Sequence, residues 1–225
     1  MCSRFSRVSL IDELRKRFFI EVGDIQLSPD YNIAPTDLAY VVVQDGDKRF
    51  LKRMMFGLIP HWAKDPKIGV HCLNARAETV AEKPAFRDSF KNRRCLVITD
   101  GFYEWLREEK NKIPHRVMMK DRQPYAMAGL WDRWKRSDGR EFETFSIVTT
   151  EPNDLIAKIH DRMPVILKKE EESLWLAPYV TETKTILPLL KPYPPEWMEM
   201  VAVSPAMNSS RNKTPECIVP TSRIP

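Results

Sequence analysis

The feature that most constrains the fold is a series of short apolar segments joined by tight turns. The segments are LAYVVV, RFLKRMMF, RRCLVI, HRVMMK, YAMAGLW and FETFSIVTT, and the turns include QDGDK, DRQP and SDGR. Runs rich in β-branched and aromatic residues, bounded by Gly, Pro, Asp and Ser, are typical of strands. Because short turns join successive strands, the sequence predicts a largely antiparallel sheet.

Fewer segments predict helices. Leu10, Leu14 and Phe18 recur at helical spacing after a possible capping box at Ser9 and Asp12, which predicts a helix over about 10–20. The other predicted helices are NARAETVAEKPAF, interrupted at Pro84, PNDLIAKIH and EEESLWLA, whereas TDGFYEW is predicted to turn out of the preceding strand. This mixture predicts an α+β fold, a single domain with a curved, barrel-like sheet and flanking helices. That domain is expected over 1–204, with an extended C-terminal tail over 205–225.

Composition and charge narrow the class of protein. The chain of 225 residues has a net charge of +5, which mildly favours a polyanionic partner. Its four cysteines form no CxxC pair, and its four histidines show no zinc-binding spacing, so neither a metal nor a cofactor is expected. There is no run of signal-peptide or membrane-span length. The sequence therefore predicts a protein of the cytoplasm, associated with the nucleoid if the source is bacterial, with no membrane partner.

Two titratable residues are candidates for acid–base chemistry. Glu104 lies among aromatic residues in DGFYEW, where an apolar setting would raise its pKa; the alternative is a surface glutamate at a strand end. His160 follows a predicted short helix, where it is either a catalytic acid or a residue that ends the helix.

Three further residues are candidates for binding. Asn74 and Arg76 can orient a substrate and take a phosphate, or they are an N-cap and a surface arginine. Trp62, in GLIPHW, can stack on an unpaired base or anchor the core.

Cys2 follows the initiator methionine directly. Because cysteine is small, Met1 can be removed, which leaves a thiol and a free α-amine on adjacent carbons. That pair can close a thiazolidine ring on an aldehyde, which an internal cysteine cannot do. On position alone, however, chance is the better explanation of this cysteine.

Several stretches occur together in one order: MCSRF, YNIAPT, GLIPHWAKD, LNARAE, DGFYEW, IVTT and IHDRMPVIL. In this combination the chain resembles the SRAP family, whose members form covalent crosslinks to abasic sites in single-stranded DNA. The resemblance covers nearly the whole chain apart from its C-terminal end. It implies a single α+β domain around a curved antiparallel sheet, a monomer, and single-stranded DNA containing abasic sites as the partner.

The resemblance also implies residue roles. Cys2 would capture the sugar aldehyde after Met1 is removed, in a crosslink that protects the site from strand cleavage. Asn74 would orient the N-terminus and the sugar, Glu104 would be the acid and base that also helps to release Met1, and His160 would handle the proton of the sugar hydroxyl. The implied DNA contacts are Arg4, Arg76 and Arg162 at phosphates, and Asn32, Pro35, Trp62 and Thr149 along the DNA-lining surface.

Two departures and two alternatives accompany this resemblance. Ser3 stands where the family usually has glycine, and Phe56 where it usually has tryptophan.

The alternative functions are an N-terminal-nucleophile thiol peptidase or hydrolase, which would use Cys2, Glu104 and His160, and a DNA-binding module with an inert Cys2. A weak lyase activity is also expected, because an untrapped imine favours strand elimination.

Overall fold

The computed structural model describes residues 2–21, 26–108 and 111–221, and of Glu108 only the backbone. Within these ranges the strands are β1 Phe5–Arg7, β2 Asp30–Ile33, β3 Leu38–Asp45, β4 Lys48–Phe56, β5 Asn74–Arg76, β6 Arg94–Thr99, β7 Gly101–Glu108, β8 Asn111–Met119, β9 Tyr125–Lys135, β10 Glu141–Thr150, β11 Met163–Pro164, β12 Ile166–Leu167 and β13 Met198–Ala202. The α-helices are short: α1 Ile11–Phe18, α2 Arg87–Asn92, α3 Glu172–Leu176 and α4 Thr183–Ile186.

Five long strands close into a barrel. They pair in the cycle β10–β4–β3–β6–β9 and back to β10, and every pairing in the cycle is antiparallel except the parallel pairing of β10 with β4. The short strands β5, β11 and β12 extend this sheet alongside β10 and β9. Because closure pairs both sides of each barrel strand, the main sheet exposes few free edges.

A second sheet of five antiparallel strands, in the order β13–β8–β7–β1–β2, packs on the barrel. The core between them includes Phe5 of β1, whose ring meets Phe56 edge-on at 5.7 Å, and Phe145, which stacks on Phe56 at 5.1 Å. Alternate barrel residues face the other way: Val42 belongs to a separate core with Phe18 of α1 and Trp175 of α3. Side-chain alternation thus gives the barrel strands two packed faces.

This architecture confirms the predicted α+β class and the six predicted strands. Three local predictions were wrong. The capping box did not form, since the N-cap of α1 is Leu10 and the Ser9 hydroxyl bonds to Asp100 instead. NARAETVAEKPAF begins as β5 and turns, with helix only from Arg87. DGFYEW is strand β7 and not a turn, because β1 and β8 pair with its two sides.

The C-terminal segment, residues 204–221, also differs from the expected extended tail. It contains two 3-10 turns, Pro205–Asn208 and Pro215–Ile218, and an isolated bridge joins Val203 to Pro220. Met207 and Cys217 are fully buried against Tyr103. Its apolar side chains therefore hold it against the second sheet. Across the described residues, no helix is long and apolar enough to cross a membrane.

Candidate active site

Cys2 lies just before β1, the strand between β2 and β7 in the second sheet. Its side chain is fully buried among the apolar residues beneath that sheet. Burial raises the pKa of the thiol well above its usual value, and the nearby Glu104 carboxyl acts in the same direction. The Cys2 carbonyl accepts a 2.9 Å hydrogen bond from the Asn74 amide, so Asn74 holds the start of the chain. Met1 lies outside the described residues.

A buried carboxylate fixes β1, the strand that follows Cys2. Asp100, between β6 and β7, accepts hydrogen bonds from the backbone amides of Val8 and Ser9 and from the Ser6 hydroxyl at 2.8 Å. Arg116 of β8 donates to the same carboxylate at 2.8 Å. A side chain at Gly101 would meet the Arg116 guanidinium at 2.5 Å, so glycine is required beside this ion pair.

Glu104 of β7 is 3% exposed. Burial raises its pKa to about 7, and the nearby Asp161 charge adds to the effect. A carboxyl with this pKa is partly protonated at neutral pH, so it can both accept and donate a proton there.

His160 faces Glu104 from the loop after a 3-10 turn over Ile156–Lys158, with 3.7 Å between His160 Nε2 and Glu104 Oε2. Its Nδ1 lies 3.0 Å from the backbone nitrogen of Arg162 and 3.0 Å from the Asp161 carboxylate, so the loop itself orients the ring. Burial lowers the pKa of His160, Arg107 lowers it further, and Asp161 opposes them.

An open groove of about 1000 Å³ runs along this site. Glu104, His160 and Ser3 line it together with cationic, aromatic and C-terminal residues: Trp105, Arg107, Lys112, Pro205, Asn208 and Thr221. Ser3 therefore lies at the groove. Acid–base groups, basic side chains and an aromatic ring at one groove suit a polyanionic ligand that undergoes proton transfer.

A family model described as SOS response associated peptidase (SRAP) matches residues 1–210. This chain belongs to the SRAP family. The abasic site processing protein YoqW of Bacillus subtilis is 42% identical over 221 residues, covering 97% of this chain and 99% of the relative. The abasic site processing protein HMCES of Xenopus tropicalis is 33% identical over 221 residues, covering 84% of this chain and 65% of the relative.

A solved structure shows the same fold. The crystal structure of a protein from Bacteroides thetaiotaomicron is 32% identical and has a TM-score of 0.88, covering 98% of this chain and 100% of the other. The barrel and second sheet are therefore features shared with that protein.

The fold brings together three of the DNA contacts expected of an SRAP protein. Arg76 of β5 pairs with Thr149 of β10, and Arg162 Nη2 donates to the Thr149 carbonyl at 2.7 Å. Arg76 is exposed, whereas Thr149 is fully buried, with a hydroxyl that has no hydrogen-bond partner among the described residues. Arg76 lies on the strand that begins at Asn74, Arg162 lies two residues after His160, and Thr149 of β10 contacts both.

The other expected SRAP contacts lie apart from this cluster. Arg4 donates to Asn32 at 2.6 Å and lies 5.9 Å from the Trp105 ring, and Asn32 is buried beneath the carbonyls of Ser209 and Asn212. Pro35 is half-buried in a turn, directly before Thr36 at φ +73°. Trp62 is 51% exposed on its loop, which favours the stacking role over the core anchor.

Residues that sequence reasoning missed act through contacts distant in the chain. Asp100 and Gly101 were read only as turn formers, and Arg116 had no local signal at all. Glu78 was treated as part of a helix, although both of its carboxylate oxygens bind Arg162. Asn208, in the supposed tail, accepts from the Trp105 indole at 2.7 Å. Of these residues, only Asp100 and Gly101 had a local sequence signal, an Asp-Gly pair directly after a buried strand.

Proposed function

We propose that this protein processes abasic sites in single-stranded DNA, by forming a covalent thiazolidine crosslink through Cys2 once Met1 is removed. One observation carries the proposal: buried Glu104 faces His160 and acts electrostatically on Cys2, whose carbonyl is bound by Asn74. Relatives over nearly the full length are named abasic site processing proteins. The crosslink would shield the site from strand cleavage.

The first step is imine formation. A free α-amine has a pKa near 8, so a useful fraction is neutral at pH 7 and can attack the C1′ aldehyde of the ring-opened sugar. Glu104 takes the proton that the amine loses and returns it to the departing hydroxyl, which leaves as water. His160, with Nε2 at the Glu104 side, transfers the proton of the C1′ hydroxyl to the ring oxygen as the bond between that oxygen and C1′ breaks and the ring opens. A pKa of about 7 suits Glu104 to both transfers.

The second step is ring closure. The Cys2 sulfur bonds to the imine carbon, and the thiol proton ends on the nitrogen, so the net change over both steps is loss of one water. Because burial keeps the thiol protonated, Glu104 serves as the relay between sulfur and nitrogen. Closure consumes the imine, from which strand elimination would otherwise proceed. Removal of Met1 by the same Glu104 precedes both steps.

The DNA contacts are those that the family resemblance implies. Arg4, Arg76 and Arg162 would bind phosphates, and Pro35 and the exposed Trp62 would line the strand, with Trp62 stacking on a base. Asn32 and Thr149 are fully buried, so they would support the DNA-lining surface from beneath. A single strand suits this surface because its sugar is already accessible. The protein would act as a monomer in the cytoplasm without a cofactor, through one domain that includes the C-terminal residues at the groove.

The family description favours one second candidate, a thiol peptidase. Its parts would be Cys2, Glu104 and His160, and release of Met1 within the chain would be a single turnover of that chemistry. Turnover of a separate peptide by the purified protein would support the peptidase instead.

A denaturing gel tests the proposed function. The protein is mixed with single-stranded DNA that carries one uracil, with and without prior uracil excision. We expect a shifted, denaturation-resistant band only after excision. Cys2→Ala should lose this band and cleave the strand weakly, and borohydride should trap its imine. Cys72→Ala, a change at another buried cysteine, should keep the band. A stable adduct with Cys2→Ala and no borohydride would place the nucleophile elsewhere.

A further inference from the structure

Arg162, expected at a phosphate, already binds a carboxylate. Its Nη1 lies 2.6 Å from Glu78 Oε1 and its Nη2 lies 2.9 Å from Glu78 Oε2, a two-pronged geometry in which both oxygens are used. The hydrogen bonds from Arg162 lower the pKa of Glu78, so this carboxyl is ionised at neutral pH. A phosphate binds the same guanidinium fork in the same way.

We propose that Glu78 competes with DNA for Arg162, so that a backbone phosphate must displace its carboxylate before the strand is seated. This inference rests on the proposed function, because it assigns the ligand of Arg162 to single-stranded DNA. Glu78 would then set the affinity for single-stranded DNA and take no part in the crosslinking reaction.

The contacts on the two sides of the pair show which partner moves. The Arg162 side chain is 14% exposed, and its Nη2 is also held by the Thr149 carbonyl at 2.7 Å. The Glu78 side chain is 52% exposed. Arg162 therefore stays in place while the glutamate swings out. Because the Glu78 carboxylate is half exposed, water screens its charge, and a phosphate that makes the same two-pronged contact can replace it.

The position of the pair gives the exchange a consequence at the site. Glu78 follows Asn74 by four residues, and Arg162 follows His160 by two and donates its backbone N–H to that ring. The pair thus joins the two segments that carry the proposed catalytic residues. A phosphate in place of Glu78 would set the strand directly beside them. A resident carboxylate lowers the affinity for every single strand, which limits occupancy by undamaged DNA.

The test measures equilibrium binding without chemistry. Fluorescence anisotropy is followed with a labelled single-stranded oligonucleotide that carries a tetrahydrofuran site, which has no aldehyde and cannot be crosslinked. Glu78→Gln should bind roughly three- to fivefold tighter, since it loses the competing charge but keeps its size. Glu82→Gln, the same change at an exposed glutamate of the same segment, should leave the affinity unchanged.

The same substitution of Glu78 in a protein that also carries Arg162→Ala distinguishes competition at Arg162 from a general effect of the lost negative charge. With Arg162→Ala, the gain from Glu78→Gln should vanish, because no guanidinium remains to be contested. The proposal is overturned if Glu78→Gln binds no tighter, if Glu82→Gln gains equally, or if the gain persists with Arg162→Ala. If the unaltered protein does not bind the oligonucleotide, the proposed function itself fails, which is a different result from an unchanged Glu78 effect.

Discussion

At the scale of single residues, Glu104 has the protonation behaviour that the proposed chemistry needs. Burial raises its pKa to about 7. We expect Glu104→Gln, which keeps size and hydrogen bonding, to slow adduct formation roughly 10²- to 10⁴-fold. The rate profile of the unaltered protein should bend near pH 7, and that bend should be absent from the variant. A rate for Glu104→Gln that matches the unaltered protein would remove Glu104 from proton transfer.

The same pKa makes a prediction about stability. Because the folded pKa lies above the unfolded value near 4.5, folding favours the protonated carboxyl. The protonated Glu104 carboxyl makes its full contribution to stability below pH 4.5, and this contribution is lost as the pH rises through about 7. In urea unfolding, the free energy of unfolding of Glu104→Gln should therefore rise relative to that of the unaltered protein between pH 5 and 8, by up to roughly 3 kcal/mol. A constant difference across this range would contradict the raised pKa.

At the scale of elements, the position of Cys2 depends on how β1 is held. Asp100 binds two amides and a hydroxyl of that segment and pairs with Arg116, and its side chain is 6% exposed. Asp100→Asn would leave Arg116 without a charge partner, which should cost about 3–5 kcal/mol of unfolding free energy. Asp138→Asn, the same change in a surface pair, should have little effect. Urea unfolding measures both, and equal losses would mean that the buried network is unimportant.

The elements also show where local sequence signals end. LAYVVV and RRCLVI were predicted as strands because every residue of such runs can be buried on a pleated sheet. DGFYEW was not, because Asp-Gly is a turn signal and only pairing with β1 and β8 reveals the strand. NARAET has good helix formers, but β10 pairs with Asn74, Ala75 and Arg76 and holds them extended. Pairing between distant segments overrode local preference in both cases.

At the scale of the whole molecule, barrel closure and the C-terminal segment were the least predictable features. Closure requires the parallel pairing of β10 with β4, which no turn in the sequence announces. The C-terminal segment has the polar composition of a tail, yet buried Met207 and Cys217 attach it to Tyr103. For the candidate site, Asn74, Glu104 and His160 were named from the residues and Cys2 from the family resemblance, and the roles of all four stay predictions. Asp100 and Glu78, which work through distant partners, were named from neither.

Mass spectrometry of the adduct tests directly whether Cys2 is the crosslinking residue. The protein is reacted with abasic single-stranded DNA, digested with nuclease and protease, and the modified peptide is sequenced. We predict a peptide that begins at Cys2, lacks Met1, and carries the sugar with a mass equal to the sum of both parts less one water. When this peptide is fragmented, the fragment ions should place the sugar on Cys2. An adduct on any other residue, or an adduct peptide that retains Met1, would contradict the account.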